Sequence, residues 1–479
     1  MKNDSIQKTL EDAKQAIDAD QTLSASMRTL FNLLIFMIQE LCRKLNINSA
    51  NSSKAPSQDP NRSKPERKKG ERKPGGQIGR TFATLEPVDT PDTIKTIKVN
   101  RKTYPTDRYK HVGYKTRQVF DIQFKRVATE YRAEIVEDAE GKQIVAPFPP
   151  EVTRPTQYGA SVKEHVVFLS CAQFLPAERL IKQFHDQYKM ALSCGSVFNF
   201  IEEAAFRLEP FKTVARHQLK TSAILNADET GINVNSKLHW LHGASNTQWT
   251  WLEPHAKRGA LGMEAIGIIP DFKGVLIHDH LKAYFTFACQ HALCNAHHLR
   301  ELTWSFEEDK QAWAGEMRTY LEELNRAVIQ AGGCLTPEAI TPWYERYHAI
   351  LTQGNEECPV KPPDLLPDQK KKRGKVKQSK SRNLLDRLIN FQTETLRFAA
   401  EQQVPFTNNL AERIIRMEKV KQKISGCFKS LETAKQHAII RSYLLTCQQN
   451  DVSCSDGLRL LFQGTFPQFV LEALEVLKT

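Results

Sequence analysis

Near the start of the chain, apolar residues recur at Leu23, Met27, Leu30, Leu34, Met37 and Leu41, in alternating steps of four and three. That spacing predicts a helix over 20–46 with a heptad seam. Phe31, Ile35, Phe36 and Ile38 widen the apolar face. The pattern therefore fits either a coiled-coil dimer or a helix packed on its own chain. Over 47–83 Ser, Pro, Gly, Lys and Arg dominate, the composition of a disordered basic linker. Short alternating runs then begin. TIKTIKV, RQVFDIQF, ATEYRAEIV and KQIVAPF read as strands of a small β-rich domain over 84–155. Helical periodicity returns over 156–220, a helical connector with Phe168, Leu169, Phe174 and Leu175 apolar. Pro176-Ala177-Glu178 marks a helix start within it.

From 221 to 299 the order reads strand, strand, strand, helix, strand, strand, with a turn at Asn246-Thr247 and a helix near 260–268. Residues 301–400 are mostly helical and polar, and they carry KKKRGKVKQSKSR (370–382), with eight basic residues and no acid. A further helix opens at Asn409, and 431–479 is helical again. The fold class is α/β, with the N-terminal helix (1–46) and the β-rich domain preceding the strand-rich region that begins at 221.

The charge changes the picture. Lys and Arg total 67 against 55 Asp and Glu, a net +12, which favours a polyanionic partner. Between Lys54 and Arg80 nine basic residues face three acidic ones, a flexible arm suited to phosphates at low specificity. The most apolar run, Leu30 to Ile38, is far short of the roughly 20 residues that cross a bilayer, so no membrane is expected. The opening MKNDSIQKTLEDAKQ lacks the early apolar stretch of a secretory leader. The ten cysteines form no disulfide-like framework and read as reduced thiols of a cytoplasmic protein.

Three carboxylates can carry chemistry. Asp228 and Asp279 each close an apolar strand run, where side chains enter the crevice at a sheet edge. Glu412 follows Asn408-Asn409, a helix cap, and so falls in the first turn. Asp at a strand end is also an ordinary turn or cap residue. Brought together, however, the three would offer the hard oxygen ligands that Mg²⁺ takes, and two such ions can activate an attacking oxygen and stabilise a leaving one. On the helix of Glu412, Arg413, Arg416, Lys419 and Lys423 share a face. Cations in a first turn oppose the helix dipole, whereas a phosphate backbone alongside would explain them; a solvated face is the other reading. Cys289, His291, Cys294, His297 and His298 have a zinc-like pattern. Their spacing is too tight for four ligands from one strand and turn, which argues against zinc and for ordinary packing.

Several segments together resemble the large transposase of the insertion-sequence-66 family, over nearly the whole chain. They are NSANSSKAPSQD with KPGGQIGR, RQVFDIQFKRVATEYRAEI, PTQYGASVKEHVVFL, NADETGINV, VLIHDHLKAY, HALCNAHHLREL, NNLAERIIRMEKVKQKISGCFKS and SYLLTCQQNDVSCSDGLRLLF. The resemblance implies an RNase H-like, mixed-sheet DDE domain over 221–430, with a helical insertion over 301–400 and with Asp228, Asp279 and Glu412 as catalytic, metal-holding carboxylates. It places Cys294, His297 and Arg300 in the matching positions of a supporting C-x2-H segment. It implies two Mg²⁺ ions, leaving open whether Mn²⁺ can replace them, and cleavage and strand transfer at insertion-sequence ends. The partners it implies are terminal inverted repeats, target DNA, a homodimer or higher assembly, and small companion proteins, in the nucleoid. A catalytically silent DNA-binding derivative and an RNase H-like nuclease without strand transfer are the alternatives. One departure stands out. Relatives carry paired cysteines, a zinc module, in the β-rich domain. Here no cysteine lies between Cys42 and Cys171, and EIVEDAEGKQIVAP occupies that place. The 84–155 domain therefore reads as a degenerate zinc module.

Overall fold

Two helices, α1 (Asn3–Ala19) and α2 (Ala25–Leu45), open the chain in the computed structural model, which describes residues 3–45, 48, 51, 85–362 and 376–478. The helix expected from residue 20 begins at Ala25 instead. The Asp20 carboxylate accepts the Thr22 N–H at 2.8 Å and the Ser24 hydroxyl accepts the Met27 N–H at 3.3 Å, so the chain turns there before α2 starts. α1 packs on α2, burying Leu10 and Ile35, while Met27, Leu30, Leu34, Met37 and Leu41 stay exposed. Apart from Asn48 and Asn51, the expected linker over 47–83 lies outside the described residues, as do residues 370–375 of the second basic stretch.

The β-rich expectation for 84–155 is met only by a short hairpin, β1 (Ile135–Glu137) paired antiparallel with β2 (Gln143–Val145). TIKTIKV and RQVFDIQF form no ladder. Ile94, Ile97, Val99, Val119 and Ile122 stand exposed, so alternation there has no second layer to bury against. Helices α3 (Ala160–Val167), α4 (Ala177–Tyr188), α5 (Cys194–Arg207) and α6 (Glu209–Lys220) then follow, with Pro176 at the N-cap of α4 as its sequence predicts.

A mixed five-stranded sheet carries the centre of the molecule. Its strands are β3 (Ile224–Val234), β4 (Lys237–Ser245), β5 (Thr250–His255), β6 (Val275–His278) and β7 (Gln290–Leu293), in the spatial order β5-β4-β3-β6-β7. β3, β4 and β5 are antiparallel neighbours, and β6 and β7 run parallel to β3. The β3–β4 hairpin turns through Asn235 and Ser236 with φ of 47° and 61°, the left-handed pair that a two-residue hairpin requires. Helix α7 (Ala260–Ile266) connects β5 towards β6.

The strands' period of two assigns the faces. Leu225, Ala227, Ala244, Trp251 and Leu276 enter one core with α3–α7. The same core holds α14 (Leu431–Gln449), α15 (Cys454–Phe462) and α16 (Gln468–Val476). The boundaries expected at 220 and 430 cut through this shared core. On the other face Val275, Ile277 and Ala292 join a second core with α8 (Asn295–Glu307), α9 (Ala312–Gln330), α10 (Pro337–Glu357), α11 (Lys380–Asn390) and α12 (Gln392–Ala400). The stretch read as polar and helical thus has its own apolar interior, built on Trp313, Tyr320, Tyr347 and Leu384. Helix α13 (Asn409–Ser425) lies across β3 and β4, with Ile414 against Ile232, Val234, Leu241 and Leu252. Among the described residues no helix is long and apolar enough to cross a membrane.

Candidate functional site

Strand register brings the first two carboxylates together. In the parallel pair β3–β6, Asn226 lies opposite Ile277. Two residues further along each segment, just past that ladder, come Asp228 and Asp279, near enough for the Asp279 charge to push the Asp228 carboxyl up. Continuing the β6–β7 register one step past His278 opposite Leu293 sets Cys294 beside Asp279. Asp279 follows the end of β6 as expected. Asp228 does not end its strand: β3 runs on to Val234 because its far half pairs with β4. The aspartate instead stands just past the end of the parallel ladder.

Helix α13 supplies Glu412 in its first turn. Asn408 takes the N-cap position, but its side chain makes no cap bond. Its amide donates to the Ala227 carbonyl at 2.8 Å and accepts from the Asn226 amide at 2.8 Å. Its backbone N–H donates to Cys294 Sγ at 3.1 Å. All of Asn226, Asn408 and Cys294 are buried. This clamp ties the strand of Asp228, the end of β7 and the helix of Glu412 to one another. The doubled asparagine is its sequence signal, which reads locally as a helix cap because the partners lie far away in the chain.

Electrostatics register the convergence. The Asp228 carboxyl is pushed up to about 8, first by burial and then by the negative charges of Glu229, Asp279 and Glu412, against a hydrogen bond from the Glu229 N–H. Around neutral pH, without a cation, Asp228 therefore holds a proton. The Asp279 carboxylate accepts the Leu281 N–H at 2.9 Å. Beneath it, His278 donates from Nδ1 to the Asp279 carbonyl, and its Nε2 lies 3.1 Å from His291 Nδ1. Burial pushes His278 down to about 3, so this ring is a neutral brace.

Sequence reasoning missed Glu229. On the opposite face of β3, its fully covered carboxylate accepts from Tyr284 Oη at 2.7 Å and from Arg258 Nε at 2.9 Å. Arg258 also stacks over Trp240, 4.8 Å from the ring centroid. These bonds link β3 to the segments after β5 and β6. Two adjacent acids inside an apolar strand were the available signal.

Around Glu412 the structure collects Cys294 Sγ at 3.8 Å, His297 Nδ1 at 3.8 Å, Arg300 at 4.0 Å and Arg416 at 3.9 Å. The C-x2-H segment is thus built against the third carboxylate. Burial pushes the Cys294 thiol up to about 11 and His297 down. Cys289 and His291 lie at the other end of β7, with His291 engaged by His278, so the four-ligand cluster does not form. His298 turns inward to Asn295 Oδ1 at 3.0 Å. Of the basic face of α13, Arg413, Arg416, Lys419 and Lys423 are all exposed, but the Lys419 ammonium donates to the Gly231 carbonyl and is held against β3.

The mixed sheet thus carries an aspartate just past its parallel ladder and another just after β6, with a third carboxylate in the first turn of a helix rich in basic residues. The family described as "Transposase IS66 family" matches residues 155–436, and a "Family of unknown function (DUF6444)" matches 7–84. The chain belongs to the IS66 transposase family. No curated protein matches it.

Proposed function

We propose that this chain hydrolyses a phosphodiester at the ends of its insertion sequence and transfers the freed 3′ hydroxyl into target DNA, using two divalent ions, Mg²⁺ or Mn²⁺. Asp228, Asp279 and Glu412 would hold them. What supports this reading is that β3, the segment after β6 and the first turn of α13 adjoin, near enough for the charges of Asp279 and Glu412 to add to burial and Glu229 in raising the Asp228 carboxyl. Half-buried carboxylates that raise one another fit a hard divalent cation, whose charge offsets the mutual repulsion. Bound there, such ions supply activation of the attacking oxygen and stabilisation of the leaving one. The chain's own residues do the rest. The Asn408 clamp fixes the helix of Glu412 against the strand of Asp228, and His278 braces Asp279. No covalent nucleophile on the protein is required, since water and then the 3′ hydroxyl serve in turn.

The order β5-β4-β3-β6-β7 supports an RNase H-like assignment for the sheet, with α8–α12 as the insertion between β7 and the helix of Glu412. Arg413, Arg416 and Lys423 would follow a phosphate backbone past the site. Replacing Arg413 and Arg416 by Ala is expected to weaken DNA binding uniformly across sequences and to flatten the plot of log affinity against log salt by roughly one unit for each phosphate no longer neutralised. An unchanged slope would remove α13 from the interface. The exposed seam of α2 suits a coiled-coil pairing of two protomers, as synapsis of two ends requires. Terminal-repeat DNA, target DNA and the element's companion proteins would be the partners, in the nucleoid of the cytoplasm.

Purified protein with its own end DNA, Mg²⁺ and a plasmid tests the reading. End cleavage with joining to the plasmid is expected. Cleavage without joining points to a nuclease, and binding without cleavage even with the companion proteins points to a silent DNA-binding derivative.

A further inference from the structure

We propose that Cys294, His297 and Glu412 form a second cation site, for a borderline divalent ion of the Zn²⁺ class, which takes Glu412 away from the carboxylate set. Binding stands on the geometry alone; the competition it implies rests on the function proposed above. Among the described residues, this is a group whose thiol, imidazole and carboxylate ligand atoms all lie within 4.8 Å of one another. Sγ and Nδ1 each stand 3.8 Å from Glu412 Oε1. Bonds of 2.0–2.3 Å to a tetrahedral zinc put neighbouring ligand atoms roughly 3.3–3.6 Å apart, so closure by a few tenths of an ångström suffices there.

Two further features point to a ligand. His297 Nδ1 is covered from solvent and has no hydrogen-bond partner. Cys294 Sγ accepts the Asn408 N–H at 3.1 Å, the kind of outer support that steadies a metal-bound thiolate. Local sequence builds the pair: Cys294 is the N-cap of α8 and His297 lies three residues on, so both project from its first turn towards α13. Thiolate and imidazole select zinc-like ions over Mg²⁺, whereas Asp228 and Asp279 offer only hard oxygens. Three protein ligands leave the fourth tetrahedral position to water or a phosphate oxygen. On binding, Cys294 gives up its thiol proton to solvent and enters as thiolate, so one proton leaves for each ion bound. Arg416, 3.9 Å from the Glu412 carboxylate, has a side chain 68% exposed and can swing aside, while Arg300, 4.0 Å away, is held by its Nε on the Ala296 carbonyl at 3.2 Å. Zinc would thus withdraw the third carboxylate and arrest cleavage.

Co²⁺ titration of the full chain, followed by absorbance, tests the site. The expected result is one equivalent with a near-ultraviolet thiolate-to-cobalt charge-transfer band and tetrahedral visible bands, bleached by Zn²⁺ and unaffected by excess Mg²⁺. Cys294→Ser should lose the charge-transfer band, and His297→Ala should bind at least about tenfold more weakly. Cys427→Ser, at an exposed thiol, should retain the band. Thermal unfolding checks that each variant is folded, and if Cys294→Ser is not, the affinity of His297→Ala decides. No band in the wild type, a band kept in Cys294→Ser, or undiminished affinity in His297→Ala overturns the proposal. Asp228→Asn should keep the band whatever happens to its cleavage, so failure of the cation site and failure of the proposed catalysis are read separately.

Discussion

Asp228→Asn should lower end cleavage by about 10³-fold or more, on the order of 4 kcal/mol of barrier, while making the cation-free protein more stable. The two effects share one cause. Burial first, and then Glu229, Asp279 and Glu412, push the Asp228 carboxyl from 3.8 up to about 8. A carboxyl whose folded value is raised favours folding fully only below its unfolded value. As pH rises from about 4 to about 8, the unfolded chain gives up a proton that the folded chain retains, and stability falls. Asn carries no such charge. The variant's advantage should therefore grow with pH over that window, reach about 2–5 kcal/mol and level off above it. Denaturant titrations at several pH values in chelator measure this. Equal stability at pH 8 would mean that Asp228 does not sit in a repulsive cluster. Mg²⁺ should stabilise the wild type and not the variant, with an affinity that rises as pH approaches 8, because the ion must displace the Asp228 proton.

Glu418→Gln should destabilise the protein by about 3–5 kcal/mol, through the helix that presents Glu412. Glu418 lies on the buried side of α13, where its carboxylate accepts from Arg441 Nε at 3.0 Å and from His437 Nε2 at 2.9 Å, both on α14. Burial pushes this carboxyl upward, yet the His437 and Arg441 contacts outweigh it and hold it at about 2. Burial pushes His437 down against the Glu418 charge that pushes it up, whereas Arg441 carries a fixed compensating charge. Substitution leaves the Arg441 guanidinium buried without its counterion. The wild-type contribution is present above the unfolded value of 4.5 and is lost as pH falls from there towards 2. Urea unfolding at pH 7 and pH 3 should show a large gap between wild type and variant at the first and a much smaller one at the second. Equal stability at pH 7 would contradict a buried ion pair between α13 and α14.

The sheet was legible in sequence because its strands are bounded apolar runs; Asp279 follows β6 and Glu412 opens α13 as their neighbours predict, whereas Asp228 falls mid-strand because the pairing of β3 with β4 is not written in the run that precedes it. The β-rich reading of 84–155 was not, because alternation records only a one-sided preference. Ile94 and Ile122 alternate correctly and find nothing to pack on. The polar look of 301–400 concealed a core because Trp313, Tyr320 and Tyr347 are spaced across several helical turns and meet only when α9 and α10 pair. The clamp of Asn226, Asn408 and Cys294 joins residues separated by 182 and 114 positions, and no local pattern foretells such a bond. Likewise the grouping of Cys294 and His297 with Glu412, rather than with Cys289 and His291, depends on where α13 crosses the sheet.

The most direct measurement compares wild type with Asp279→Ala on end DNA in Mg²⁺, reading 3′ cleavage at the terminus and DNA retention in the same reactions. Metal-dependent cleavage by the wild type, reduced about 10³-fold or more in a variant that still binds the DNA, is the predicted result. Cleavage by Asp279→Ala at the wild-type rate would contradict the account.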